Sequence, residues 1–141
     1  MKSLTMHVDI VSAEKEIFSG LAEMLVATLV TGEVGILPHH TPLLARMKPG
    51  EVRVKTPTEE LSFYVSGGML EVQPHVVTVL ADTALRAKDI DEAAALKAKE
   101  SAEEALRTRK TDIDYAKAQA ELAEAIAQLR AIQKLRERAR K

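Results

Sequence analysis

The chain has 141 residues, 29% of them charged, a formal net charge of −1 and no cysteine. That length accommodates one ordinary domain or two small ones, and the missing thiols exclude disulfides and cysteine-ligated metals and fit a reducing compartment. No run approaches the ~18 apolar residues of a membrane span, and the opening Met1 to His7 has no apolar stretch long enough for a signal peptide, so a soluble protein is expected.

The first half reads as strand. Met6, Val8 and Ile10 alternate with His7, Asp9 and Val11; Val52 and Val54 alternate with Glu51, Arg53 and Lys55. Val77 and Val79 alternate with Val76, Thr78 and Leu80. Short period-two runs separated by Gly and Pro turns predict an all-β sandwich or barrel. Within this half, Gly32 to Leu44 is punctuated by two glycines and two prolines and reads as turn, strand, turn, a loop held in one shape.

Chemistry changes between residues 75 and 90. All six glycines and all five prolines lie at or before Pro74, and every valine precedes Leu80. Beyond Ala87 the sequence is dominated by alanine, leucine and charge, which favour helix because alanine loses no side-chain entropy there. The boundary falls near Arg86–Lys88, giving a β-sandwich domain over 1–86 and an antiparallel two-helix hairpin over 87–141, a β + α fold. The first part carries 7 basic and 10 acidic residues and the second 13 and 11.

Asp89 is expected to cap the first helix, with Glu92 completing a capping box. Ile90, Ala94, Ala98, Ala102 and Ala105 then fall on one stripe. After a polar break from Thr108 to Thr111, Asp112 or Asp114 caps the second helix. Its stripe is Tyr115, Ala118, Leu122, Ala125, Ile126, Leu129 and Ile132. The expected hairpin seam is therefore Ile90, Ala94, Ala98, Ala102, Leu122, Ile126 and Leu129. At 1.5 Å per residue the second helix spans ~40 Å against ~29 Å for the first, so its basic end should overhang. A second stripe, Ala116, Ala120, Ala123, Ala127 and Ala131, reflects either alanine's propensity or a further packing face.

Five segments in order resemble the epsilon subunits of bacterial F-type ATP synthases, over the whole chain. They are Val11-Ser12-Ala13-Glu14 with Phe18-Ser19-Gly20; Gly32 to Leu43, close to G-E-x-G-I-x-P-G-H-A-P-L; Lys48-Pro49-Gly50; Ser66-Gly67-Gly68-Met69-Leu70-Glu71-Val72; and Val77 to Asp82. Two departures stand out: His39 replaces a usual glycine, and Thr28 to Thr31 replaces a more glycine-rich turn. A glycine serving a positive φ would leave His39 strained.

The resemblance implies a non-catalytic central-stalk subunit, bound through its β domain to the gamma subunit and the c-subunit rotor ring. It would lie peripherally on the cytoplasmic face of the bacterial inner membrane, reaching the membrane only through the ring. Glu33, Gly35 and His40 match the rotor-ring interface. Arg130, Lys134, Arg136, Arg138 and Arg140 would contact the catalytic beta and alpha subunits in an inhibited state, when the hairpin opens and inserts. A permanently folded hairpin on a non-regulatory adaptor is the alternative.

Other chemistries fare worse. Cations at a helix C-terminus are favoured by the dipole in any case, and the basic end lacks the aromatic residues and motif of a nucleic-acid binder. His39 and His40 are adjacent, so in extended chain they face opposite ways, and His7 and His75 are distant in sequence; no metal is expected. The nucleotide motif that some members of the family carry, [IL]-D-x-x-R-A, is matched only at Ile90, Asp91 and Ala95, with Ala94 in the arginine's place. Phosphate binding needs cations, and ATP binding is expected to be weak or absent, with no cofactor.

Overall fold

The computed structural model describes residues 4–108 and 111–140. Met1 to Ser3, the Arg109–Lys110 part of the expected inter-helix break, and Lys141 of the basic end lie outside the described residues. The chain divides into two units, Met1–Arg86 and Ala87–Lys141.

Among its described residues the first unit holds ten strands: β1 (Met6–Ser12), β2 (Glu16–Ala22), β3 (Met24–Leu29), β4 (Gly32–Ile36), β5 (Leu43–Met47), β6 (Gly50–Lys55), β7 (Glu60–Val65), β8 (Gly68–Val72), β9 (Val76–Ala81) and β10 (Ala84–Arg86). Their order is β10-β7-β6-β3-β5-β8-β9-β1-β2, with β4 added to β3. All neighbours are antiparallel except β1 and β9. β3 bridges the two layers of the sandwich. It pairs with β6 through Met24, Leu25 and Val26, but with β5 only where Leu29 meets Met47.

The alternation seen in the sequence sorts the side chains as expected. Val8, Ile10, Val52, Val54, Val77 and Val79 are fully buried, with Leu25, Ile36, Phe63 and Leu70 beside them. One outward-phase residue departs from the pattern: Glu51 is buried, its carboxylate accepting a 2.6 Å hydrogen bond from the Ser62 hydroxyl. A buried carboxylate requires such a partner.

Two sequence motifs acquire structural reasons here. Ser66-Gly67-Gly68 fastens the start of β8 to the β9–β10 turn, where the Thr83 N–H and hydroxyl both donate to Ser66 Oγ, at 2.9 and 2.8 Å. Gly68 has φ +134°, and a Cβ there would come within 2.0 Å of the Leu80 carbonyl oxygen. No other residue fits. The β3–β4 hairpin closes through Val30 and Thr31, and Gly32 takes the positive φ (+132°), so the turn itself needs no further glycine.

The second unit begins with a single 3-10 turn, Ala87–Asp89, followed by α1 (Glu92–Arg107) and α2 (Asp112–Ala139). Neither helix is capped where the sequence suggested. Asp89 is used up in the 3-10 turn, and Asp91 caps α1, accepting from the Ala94 N–H at 3.1 Å. Thr111 caps α2, accepting from the Asp114 N–H at 3.0 Å, which leaves Asp112 and Asp114 in the first turn. Their charge is favourable there against the helix dipole.

Candidate functional site

Glu33 and Gly35 lie on β4, which pairs only with β3 and so forms an edge. Glu33 is 56% exposed and stands 3.9 Å from Arg53 on β6. Arg53 also reaches Glu60 at 3.4 Å and Glu51 at 3.7 Å, placing one guanidinium among three carboxylates. Nothing in the sequence marked Arg53, because Glu33 on β4 and Glu60 on β7 are brought to it by strand register, while Glu51 is two residues away on its own strand.

His40 follows in the loop between β4 and β5. Its N–H donates to the Leu37 carbonyl at 3.2 Å, and its Nδ1 donates to the Thr41 carbonyl at 2.6 Å. Leu37-Pro38-His39-His40 is thus a four-residue turn with proline second and a positive φ (+67°) at His39, the pattern of a type II turn. Glycine suits that third position, and the histidine there holds a left-handed conformation. Glu33 and His40 stand at opposite ends of β4, with about 10 Å of strand between Glu33 and Ile36 alone. They line an edge and do not converge on a point.

His39 is not isolated, although its neighbours are remote in sequence. Its ring meets that of His75 edge to face at 5.0 Å, and its N–H donates to the Pro74 carbonyl at 2.9 Å. His7 donates its own N–H to the His75 carbonyl. On β1 and β2, Ser19 Oγ donates to Asp9 Oδ1 at 2.7 Å, and His7 Nε2 lies 2.9 Å from the same oxygen. This trio is not a nucleophilic relay, which would set aspartate and serine on opposite ring nitrogens. The Ser19 hydrogen bond, opposed by burial and helped by His7, holds the Asp9 carboxyl below its ordinary range. Among the described residues no group of three or more His, Asp or Glu side chains is arranged to hold a metal.

In the hairpin, the α2 stripe is placed as expected: Ala118, Ala125 and Ile132 are buried, and Tyr115, Leu122, Ile126 and Leu129 are half-buried. The α1 stripe is not. Ala95 and Ala102 are buried, Glu92, Lys99 and Leu106 are half-buried, and Ala94 and Ala98 are exposed. Ile90 is half-buried before α1 begins. The seam of α1 is therefore rotated by about one residue, keeping Ala102 and replacing Ala94 and Ala98 with Ala95 and Lys99. Alanine at 93, 94, 95 and 98 offers no contrast by which the face could be read. In the second alanine stripe, Ala116, Ala120 and Ala123 are exposed, Ala127 is half-buried and Ala131 is buried.

The three residues of the incomplete nucleotide motif are already engaged: Ile90 half-buried, Asp91 as the α1 cap, and Ala95 in the seam. Among the basic residues, Arg130, Lys134 and Arg138 recur every four positions on one face of α2, while Arg136 and Arg140 occupy another. Arg136 donates through both Nη atoms to the two carboxylate oxygens of Glu92, Nη1 to Oε1 at 3.1 Å and Nη2 to Oε2. That pairing lowers the Glu92 pKa and raises that of Arg136, chiefly by hydrogen bonding. α2 has 28 residues against 16 in α1, and at 1.5 Å per residue it is about 18 Å the longer. Ala87–Asp89, ahead of α1, also packs against α2.

These features define a two-unit protein, a β-sandwich followed by a helical hairpin, whose distinctive groups lie along an edge and a helix end. The beta-sandwich domain model of the ATP synthase delta/epsilon chain matches residues 5–87, and its long alpha-helix domain model matches residues 88–133. The chain is 69% identical to the ATP synthase epsilon chain of Nitrosococcus oceani, covering 96% of this chain and 98% of that one. It is 64% identical to that of Thioalkalivibrio sulfidiphilus, covering 98% and 99%. A chain of the Euglena gracilis mitochondrial ATP synthase OSCP/F1/c-ring assembly shares the fold with a TM-score of 0.83 at 18% identity, covering 91% of this chain and 81% of that one. The chain belongs to the ATP synthase delta/epsilon chain family, and within it groups with the epsilon chains of bacterial F-type ATP synthases. Among the described residues no helix is long and apolar enough to cross a membrane.

Proposed function

We propose that this chain is a non-catalytic central-stalk subunit that couples rotor rotation to ATP synthesis and restrains ATP hydrolysis through its helical hairpin. The β unit binds the gamma subunit and sits on the c-ring, with Glu33, Gly35 and His40 along the edge that meets the ring's polar loops. At a wet interface the shape of the loop counts for more than the charge of Glu33, since exposed ion pairs contribute only ~0–1 kcal/mol. The hairpin exchanges a closed form for an opened one, in which Arg130, Lys134, Arg136, Arg138 and Arg140 engage the beta and alpha subunits. The complex holds the subunit at the cytoplasmic face of the inner membrane.

The observation that carries this reading is identity of 60% or more with named epsilon chains along nearly their whole length, both units included. Alanine at Ala95 and Ala102 supports a hairpin that can open, since apolar burial scales at ~25 cal/mol per Å² and alanine buries little. Such a two-state arm is shifted by partner contacts of similar size. Deleting residues 130–141 should raise hydrolysis by the assembled complex while assembly persists. Unchanged hydrolysis would assign the basic end to solvent.

A permanently folded hairpin on a non-regulatory adaptor is the second reading. The closed hairpin, with Glu92 paired to Arg136 across its open end, is the state this reading requires. Holding the hairpin shut relieves inhibition under the first reading and changes nothing under the second.

A further inference from the structure

The open end of the hairpin brings together the first residue of α1 and the last turn of α2. Glu92 and Arg136 meet there through two parallel N–H···O bonds, although they are 44 positions apart in sequence. Both side chains are substantially exposed, at 41% and 58%. Below them the seam is small: Ala95 is the next α1 residue on this face, then Lys99 and Ala102. We propose that Glu92 and Arg136 form an ionic clasp that sets the fraction of chains in which the hairpin is open, and that keeps Arg136 unavailable to any partner while it is closed.

Three physical features suit the pair to that task. A bidentate fork is the strongest geometry a guanidinium offers a carboxylate, and it fixes the relative position of the two helix ends. An acid in the first turn of a helix and a base in the last are each favoured by their own helix dipole whether or not they touch. Opening therefore forfeits only the pairing and leaves no charge stranded. The exposure keeps the pair weak and salt-sensitive, as a clasp that must release requires. A buried pair would lock the hairpin, because breaking it would leave an uncompensated charge.

The clasp deepens the proposed regulatory role and rests on it for its meaning, but its test does not use hydrolysis. The chain has no cysteine, so labels can be placed at Ala98→Cys and Gln133→Cys alone and the inter-helix distance distribution read by spin–spin coupling in the full chain. Glu92→Gln, Arg136→Gln and the double variant are compared with the parent, with helix content followed by circular dichroism. Each single variant should raise the open fraction about two- to fivefold, the range of an exposed ion pair, and the double should open no further. Salt raised to about 0.5 M should open the parent similarly and leave the variants unmoved.

Additive single effects, an unchanged distribution in the single variants, or a parent indifferent to salt would each overturn the clasp. If a variant loses helix content, the salt series on the parent decides. A clasp that behaves as stated while a shut hairpin leaves hydrolysis unchanged would sink the regulatory reading and leave the clasp standing.

Discussion

Arg136 reaches from the last turn of α2 to Glu92, the first residue of α1, and meets both oxygens of its carboxylate. One residue of the basic helix end is thereby committed inside the hairpin. Its neighbours Arg130, Lys134 and Arg138 lie on a different face of α2.

The rotated seam predicts opposite outcomes for two alanines that looked equivalent in the sequence. Ala102 is 1% exposed, so Ala102→Leu overfills the seam and should destabilise the hairpin by about 1–3 kcal/mol. Ala98 faces outward, and Ala98→Leu should lie within about 0.5 kcal/mol of the parent. Denaturant unfolding followed by helix signal separates them; equal effects would put the seam back on Ala98.

His39 carries a positive φ at the third position of its turn. His39→Gly removes that strain but also the edge-to-face contact with His75 and some unfolded-state order. A small net gain, up to about 1 kcal/mol, is expected for the β unit on thermal unfolding. A clear loss would mean that the His75 contact outweighs the backbone strain.

Gly68 stands at the other extreme. Gly68→Ala would drive a methyl group into the Leu80 carbonyl and hold alanine at φ +134°. The β8–β9 pairing cannot yield without breaking its register, so a loss of about 3 kcal/mol or more is expected. Amide exchange across β8 and β9 measures it directly, and native-like protection would contradict the close approach.

Asp9 gives the β unit a defined acid response. Its carboxyl is held below the ordinary value of 3.8, first by the Ser19 hydroxyl. A depressed folded-state value means the stabilisation is fully present above pH 3.8 and is lost as pH falls through the lower folded value. Ser19→Ala should therefore lower stability near neutrality and flatten its decline below about pH 4. Side-chain exposure of 29% at Asp9 keeps the effect small. Parallel stability curves for the two proteins from pH 2 to 6 would remove Ser19 from the cause.

The strands were legible because valine alternation at 6–11, 52–55 and 76–80 leaves one choice of face. The edge around β4 was legible through Gly32, Pro38 and Pro42, whose turn chemistry is specific. The face of α1 was not, since alanine on every side carries no hydrophobic contrast. Both helix caps were missed because several acids and a threonine compete within three positions, and only the backbone decides among them. Arg53 with Glu33 and Glu60, and Glu92 with Arg136, depend on long-range register, which no local pattern encodes. His39 with His75 is of the same kind, two rings joined by the meeting of distant turns.

The most direct test of the hairpin as a switch is a reversible disulfide between α1 and α2, introduced into the otherwise cysteine-free chain and assembled into the complete ATP synthase. Oxidation should hold the hairpin shut and raise ATP hydrolysis, and reduction should return it to the starting rate. Equal rates in the oxidised and reduced complexes, with the subunit still bound, would contradict the regulatory role and leave a permanently folded adaptor.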